Sequence, residues 1–136
     1  MPTTSTARLV ATIEEHIAKK EYQSVFMAGG CPFFALVLHE ELGLPLYYSC
    51  PAEVDEVRHA FVMKGQRCLD FEGWKPIEKV AAAYALWPEV PPRPLSLDRL
   101  KEDIRKKNLG SDLESRLAHL AREGFSRNRS VYEEMA

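Results

Sequence analysis

Apolar residues recur at helical spacing near the start of the chain, where Leu9, Ile13 and Ile17 form one stripe with Val10 and His16 beside it. That period predicts an amphipathic helix from about Thr6 to Lys20, capped by Ser5 or Thr4. Between Glu21 and Gly30 the period is lost. Tyr22, Val25, Phe26 and Met27 read as buried points along a connection that the Gly29-Gly30 pair interrupts. Pro32 suits the first turn of a second helix, where its missing N–H costs nothing. That helix runs on to about Leu42, with Ala35, Leu38 and Leu42 on one face and Gly43 as its stop.

The pattern then changes to strand-like runs. Leu44 to Cys50 contains Leu46-Tyr47-Tyr48, which favours β structure. Pro51 to Arg58 is a polar, acidic loop. His59 to Met63 and Cys68 to Phe71 read as a hairpin around Lys64-Gly65-Gln66-Arg67. A short helix is expected over Pro76 to Leu86. A semi-rigid proline-rich connector, Trp87 to Pro94, follows it. Ser96 would cap a helix carrying Leu97, Leu100 and Ile104 that ends near Asn108-Leu109-Gly110. Ser111 would cap another carrying Leu113, Leu117 and Leu120, with Gly124 after it and a polar, loosely ordered end from Phe125 to Ala136. The expected class is α+β: a core over residues 1–94 with two helices on a small antiparallel sheet, and a helical extension over 95–136 on or beside it.

With 136 residues the chain has room for one moderate core. A net charge of −2 with both signs interspersed gives no electrostatic case for nucleic acid or an anionic membrane as partner. No basic-then-apolar start and no apolar run near 18 residues occur, so neither a signal peptide nor a membrane span is expected and a cytoplasmic setting is the default. Cys31, Cys50 and Cys68 form no CxxC pair, and no His/Asp/Glu cluster has metal-ligand spacing; no metal or cofactor is expected. A Cys50–Cys68 bridge is the alternative in an oxidising compartment.

Candidate chemistry centres on Cys31, which follows Gly29-Gly30 and opens the second helix. Free N–H groups and the positive end of a helix dipole stabilise a thiolate at such a position. His59 follows on a strand and Asp70 on the next, an order suited to nucleophilic catalysis. The hairpin supplies a geometric test. A two-residue II′ turn at Gly65-Gln66 pairs Lys64 with Arg67, Met63 with Cys68, Phe61 with Asp70 and His59 with Glu72. His59, Phe61, Met63, Cys68, Asp70 and Glu72 then share one face, with Asp70 diagonal to His59 and Glu72 a competing orienter. Phe61 and Met63 are expected to pack on the Cys31 helix. His39 is the tempting wrong partner, about 12 Å along the helix axis from Cys31, and reads as solvent-facing. Trp74 and Trp87 read as core residues, with a cleft wall as the other role.

From Gly29 to Gly73 the chain resembles the papain-like cysteine hydrolase superfamily, especially its short transglutaminase-like and small bacterial or phage members. The resemblance rests on Gly30-Cys31 opening a helix, Phe34-Ala35 within it, Leu42-Gly43-Leu44-Pro45 at a strand entry, His59-Ala60-Phe61-Val62, and Leu69-Asp70 with Gly73. It implies Cys31 as nucleophile, His59 as general base and acid, and Asp70 as orienter. It also implies an oxyanion hole built partly from the Cys31 N–H, with Gly30 in support; the candidate side-chain donor is Gln23, which lies two residues further from the cysteine than the papain-type glutamine. The implied substrate is a protein or peptide, processed by a peptidase, deamidase or transglutaminase. Two other readings stand beside it. One is an inactive binding, adaptor or anti-defence protein of the same fold that docks a partner or dimerises through its C-terminal leucines. The other is an acyltransferase using a coenzyme A donor.

Overall fold

Seven of the twelve residues in the helix that Cys31 opens are buried, and they lie on more than one side of it. A helix apolar on so much of its surface belongs in the middle of a fold rather than on its outside. The computed structural model, which describes residues 4–27, 29–51, 55–79 and 91–133, places it there. Helices α1 (Thr4–Ala18) and α2 (Tyr22–Phe26) precede this central helix, α3 (Cys31–Leu42). Strands β1 (Leu46–Ser49), β2 (His59–Lys64), β3 (Arg67–Asp70), β4 (Gly73–Pro76) and β5 (Arg93–Pro94) form one antiparallel sheet in the order β4-β3-β2-β1-β5. Helices α4 (Leu97–Lys107), α5 (Ser111–Arg127) and α6 (Arg129–Glu133) complete the α+β fold. No helix among the described residues is long and apolar enough to cross a membrane.

Helix α3 lies between the sheet and α5, packing on β2 on one side and on α5 on the other. Phe34 and Leu38 share one buried cluster with Ala60, Val62 and Leu69 of the sheet and with Leu100, Leu117, Phe125 and Tyr132 of the C-terminal helices. The last helices therefore belong to the same core as the sheet. Residues 125–133 differ from the expected loose tail. Phe125 is 1% and Tyr132 2% exposed, and their stacked rings close the core beneath α3.

The β2–β3 register is the one the sequence predicts: Lys64 pairs with Arg67, Met63 with Cys68 and Val62 with Leu69. Gly65 has φ +62°, while Gln66 is absent from the residues with positive φ, as a II′ turn with glycine first requires. The expectation for the two faces is corrected. Ala60, Val62 and Leu69 face α3, whereas Phe61, Met63 and Cys68 form a separate cluster with Ile77. Side chains alternate, so the residues one position over meet the helix.

Other boundaries move. Tyr22–Phe26 forms a short helix where a connection was expected. Pro76 ends edge strand β4 instead of starting a helix, which leaves its ring outside any inner ladder. Arg93–Pro94 pairs with Tyr47 and Tyr48 as the opposite edge, although it reads as connector. Residues 77–79 are helical, within the short helix expected over Pro76–Leu86; its remainder and the connector from Trp87 to residue 90 lie outside the described residues. Ser96 caps α4 by accepting from the Arg99 N–H at 3.1 Å. Ser111 does not cap α5; Gly110 precedes it with φ +95°, and Gly124 sits inside the helix near Phe34 and Phe71.

Candidate active site

Helix α3 starts at Cys31 because the chain before it folds back tightly. The Gly30 N–H donates to the Val25 carbonyl at 2.8 Å, and the Phe33 N–H donates to the Gly30 carbonyl at 3.1 Å. A Cβ on Gly30 would lie 2.7 Å from that Val25 oxygen, closer than real Cβ contacts come. Glycine is needed here for close approach, since its φ of −89° suits any residue. Pro32 has no N–H and the Phe33 N–H is taken by the Gly30 carbonyl; the Cys31 N–H is the other first-turn donor, at the positive end of the helix.

Three buried polar or nucleophilic side chains meet at this point. Cys31 is 3%, His59 0% and Asp70 3% exposed. The His59 Nε2 is 3.0 Å from Asp70 Oδ2. Cys31 lies near enough to the same imidazole to favour its protonated form. With Nε2 held by Asp70, the other ring nitrogen is the one left to serve the sulfur. The Ala60 N–H donates to Cys31 Sγ at 3.5 Å, so β2 contributes both a ring and a backbone donor to the thiol. Burial pushes against a charge on His59, but hydrogen bonds and attraction from Asp70 and Cys31 outweigh it and raise its pKa from 6.5 to about 9.

Asp70 is held on both oxygens. Its Oδ1 accepts the Glu72 N–H at 2.9 Å, and its Oδ2 lies 3.3 Å from Lys75 Nζ as well as against His59. The turn after Asp70 is anchored from below: Phe71 packs edge-on to Phe34 at 5.2 Å between centroids, and the Tyr132 hydroxyl donates to the Phe71 carbonyl at 2.8 Å. The Trp74 indole N–H donates to the Tyr132 carbonyl at 3.0 Å, so this tryptophan ties β4 to α6.

The other sequence candidates fall into place around these three. Glu72 does not face His59, because β3 ends at Asp70 and the chain turns at Phe71-Glu72; its carboxylate meets Lys75 and Gln23 instead. The exposed Gln23 sits on α2, and its amide donates to Glu72. His39 is not simply solvent-facing, since its Nδ1 lies 2.7 Å from the Leu44 carbonyl and joins the end of α3 to the entry of β1. Of the acidic loop, Asp55 accepts from Tyr48 at 2.6 Å and pairs with Arg99 at 2.9 Å, which docks α4 beside β1. All three cysteines are free thiols. Among the described residues no group of three or more His, Cys, Asp or Glu side chains is arranged to hold a metal ion.

Lys75 and the Ala60 N–H are the participants that sequence reasoning missed. The signal for Lys75 was present. Recognition of β4 as a strand returning from Asp70 would have paired Lys75 with Cys68, on the face that carries His59 and Asp70. Compared with protein families, curated proteins and solved structures, the chain matches none.

Proposed function

We propose that the protein is a cysteine-dependent hydrolase or acyl-transfer enzyme acting on amide bonds of proteins or peptides, built on a papain-like core. The observation that carries this reading is one buried imidazole held between the Asp70 carboxylate and a thiol at a helix N-terminus. In this mechanism the Cys31 thiolate attacks the substrate carbonyl and forms the C–S bond. The Cys31 N–H, at the positive end of α3, hydrogen-bonds the developing oxyanion. His59 has taken the thiol proton and delivers it to the departing amine, so the C–N bond breaks to leave an acyl-enzyme. Water or an amine, deprotonated by His59, then releases the acyl group and restores the thiol. Asp70 keeps the ring oriented and stabilises the imidazolium. A cytoplasmic setting fits an enzyme that depends on a free thiol.

p-Nitrophenyl acetate tests the reading without knowledge of the natural substrate. Intact-protein mass spectrometry should show one acetyl group on Cys31 in the wild type and none there in Cys31→Ala or His59→Ala. Equal acetylation of wild type and His59→Ala would refute it.

A specific observation favours a second reading. Cys31 and His59 are almost completely covered, which suits a binding protein whose triad residues are only structural. In that case Cys31 would remain unacylated in every variant, and partner binding through the C-terminal helices would be the property to measure.

A further inference from the structure

We propose that Lys75 is a positioning residue of this site: its ammonium, divided between Asp70 and Glu72, sets how firmly the Asp70 carboxylate holds the His59 imidazolium. The inference rests on the hydrolase reading and adds a residue to it.

The geometry is a chain of alternating charge. Asp70 Oδ2 serves two cations at once, His59 Nε2 at 3.0 Å and Lys75 Nζ at 3.3 Å. Lys75 also pairs with one oxygen of Glu72, and the other oxygen of Glu72 accepts from Gln23. The Lys75 side chain is 19% exposed and Glu72 34%, against 3% for Asp70, so the chain runs from the surface inward to the imidazole. Burial works against the Lys75 charge, but Glu72 and Asp70 outweigh it and hold its pKa above the ordinary lysine value. The ammonium therefore persists across the working range of the site.

Other titratable groups face the same carboxylate from each packed element. Helix α3 brings Cys31 to the His59 side of the pair, and β3 contributes Cys68 beside Asp70, its thiol pushed up to about 12 chiefly by burial. Helix α6 contributes Tyr132, also pushed up to about 12, chiefly by burial and then by Asp70. Cys68 and Tyr132 stay neutral near neutral pH. Cys31 touches the imidazole itself, so Lys75 and Glu72 are the charges that reach Asp70 from the side away from the ring.

Each of the two outer charges pulls in its own direction. The ammonium draws on the oxygen that holds the imidazolium and repels the ring, so its removal lets His59 keep its proton to higher pH. Removal of the Glu72 charge leaves the ammonium undivided on Asp70, so His59 gives up its proton at lower pH. A merely structural role for the pair predicts the same effect from both changes, a loosening of the turn.

The test is NMR titration of the His59 ring Cε1–H signal, assigned by its absence in His59→Ala, in the full-length wild type, Lys75→Met and Glu72→Gln. Both substitutions keep the side-chain stem, and thermal melts establish that the variants are folded. The midpoint should rise by about half a pH unit or more in Lys75→Met and fall by a similar amount in Glu72→Gln. Midpoints that stay at the wild-type value, or that shift in one direction in both, would overturn the inference. Alkylation of Cys31 in the same wild-type sample reports on the hydrolase reading separately. Opposite midpoint shifts with an inert Cys31 would uphold the Lys75 coupling and remove the hydrolase.

Discussion

Gly30→Ala perturbs the point on which the helix N-terminus depends. The backbone angles at Gly30 suit alanine, so the cost comes from the 2.7 Å approach of the new Cβ to the Val25 carbonyl oxygen and 3.0 Å to Val25 Cγ1. A backbone oxygen that already accepts the Gly30 N–H at 2.8 Å cannot move aside without moving α2 against α3. Overpacking of this kind costs about 1–3 kcal/mol. The reduced freedom of the unfolded chain returns about 0.4–1 kcal/mol. The net expectation is a loss of about 1–2 kcal/mol, or roughly 3–8 °C in Tm for a domain of this size. Gly29→Ala is the internal control. Its Cβ would meet Leu9 Cδ1 at 2.7 Å and Ile13 Cδ1 at 3.1 Å, the tips of side chains that can rotate, so Tm should stay within roughly 3 °C of wild type. Differential scanning calorimetry measures both, and Cys31 alkylation should slow in Gly30→Ala alone. A Gly30→Ala protein as stable as wild type, or a Gly29→Ala protein that suffers more, would refute the close-approach argument.

Stability should fall as pH rises through 9. The unfolded imidazole titrates near 6.5 and the folded one near 9, so its contribution is complete below 6.5 and lost above 9. The shift corresponds to about 3 kcal/mol. Urea unfolding at pH 6 and pH 10 should show a fall that Asp70→Asn largely removes; equal pH slopes in the two proteins would contradict the pairing. Tyr132→Phe should cost about 1 kcal/mol, because it leaves the part-buried Phe71 carbonyl without its hydroxyl donor. A thermal melt indistinguishable from wild type would show that the α6 anchor is dispensable. Cys68 should resist alkylation in the folded protein below pH 9, since burial raises its thiol to about 12; labelling as fast as that of a small-molecule thiol would contradict its burial.

The site was more legible in the sequence than the packing around it. Gly30-Cys31-Pro32 marked the start of α3, and Gly65-Gln66 fixed a two-residue turn whose register carries His59 and Asp70 to one face. These are local features, decided by a few residues with restricted geometry. The face that meets α3 was misjudged because every residue of β2 except Lys64 is buried, so alternation gave no signal of which side was inner. Strands β4 and β5 are short edges containing Pro76 and Pro94, and their pairing depends on neighbours distant in sequence. Phe125 and Tyr132 lie among charged residues, and it is their tertiary packing, with Tyr132 on Phe34 and Phe125 stacked on Tyr132, that makes them core.

The most direct test of the Cys31–His59 pairing is the alkylation rate of each cysteine by iodoacetamide from pH 5 to pH 9, read by peptide mass spectrometry, in wild type and His59→Ala. An ordinary thiol reacts as it ionises near 8.5. Cys31 should react well below pH 7, far ahead of Cys50 and Cys68, and should lose that advantage in His59→Ala. A Cys31 that follows the ordinary thiol profile, or that stays silent in both proteins, would contradict the thiolate–imidazolium pair and with it the proposed enzyme.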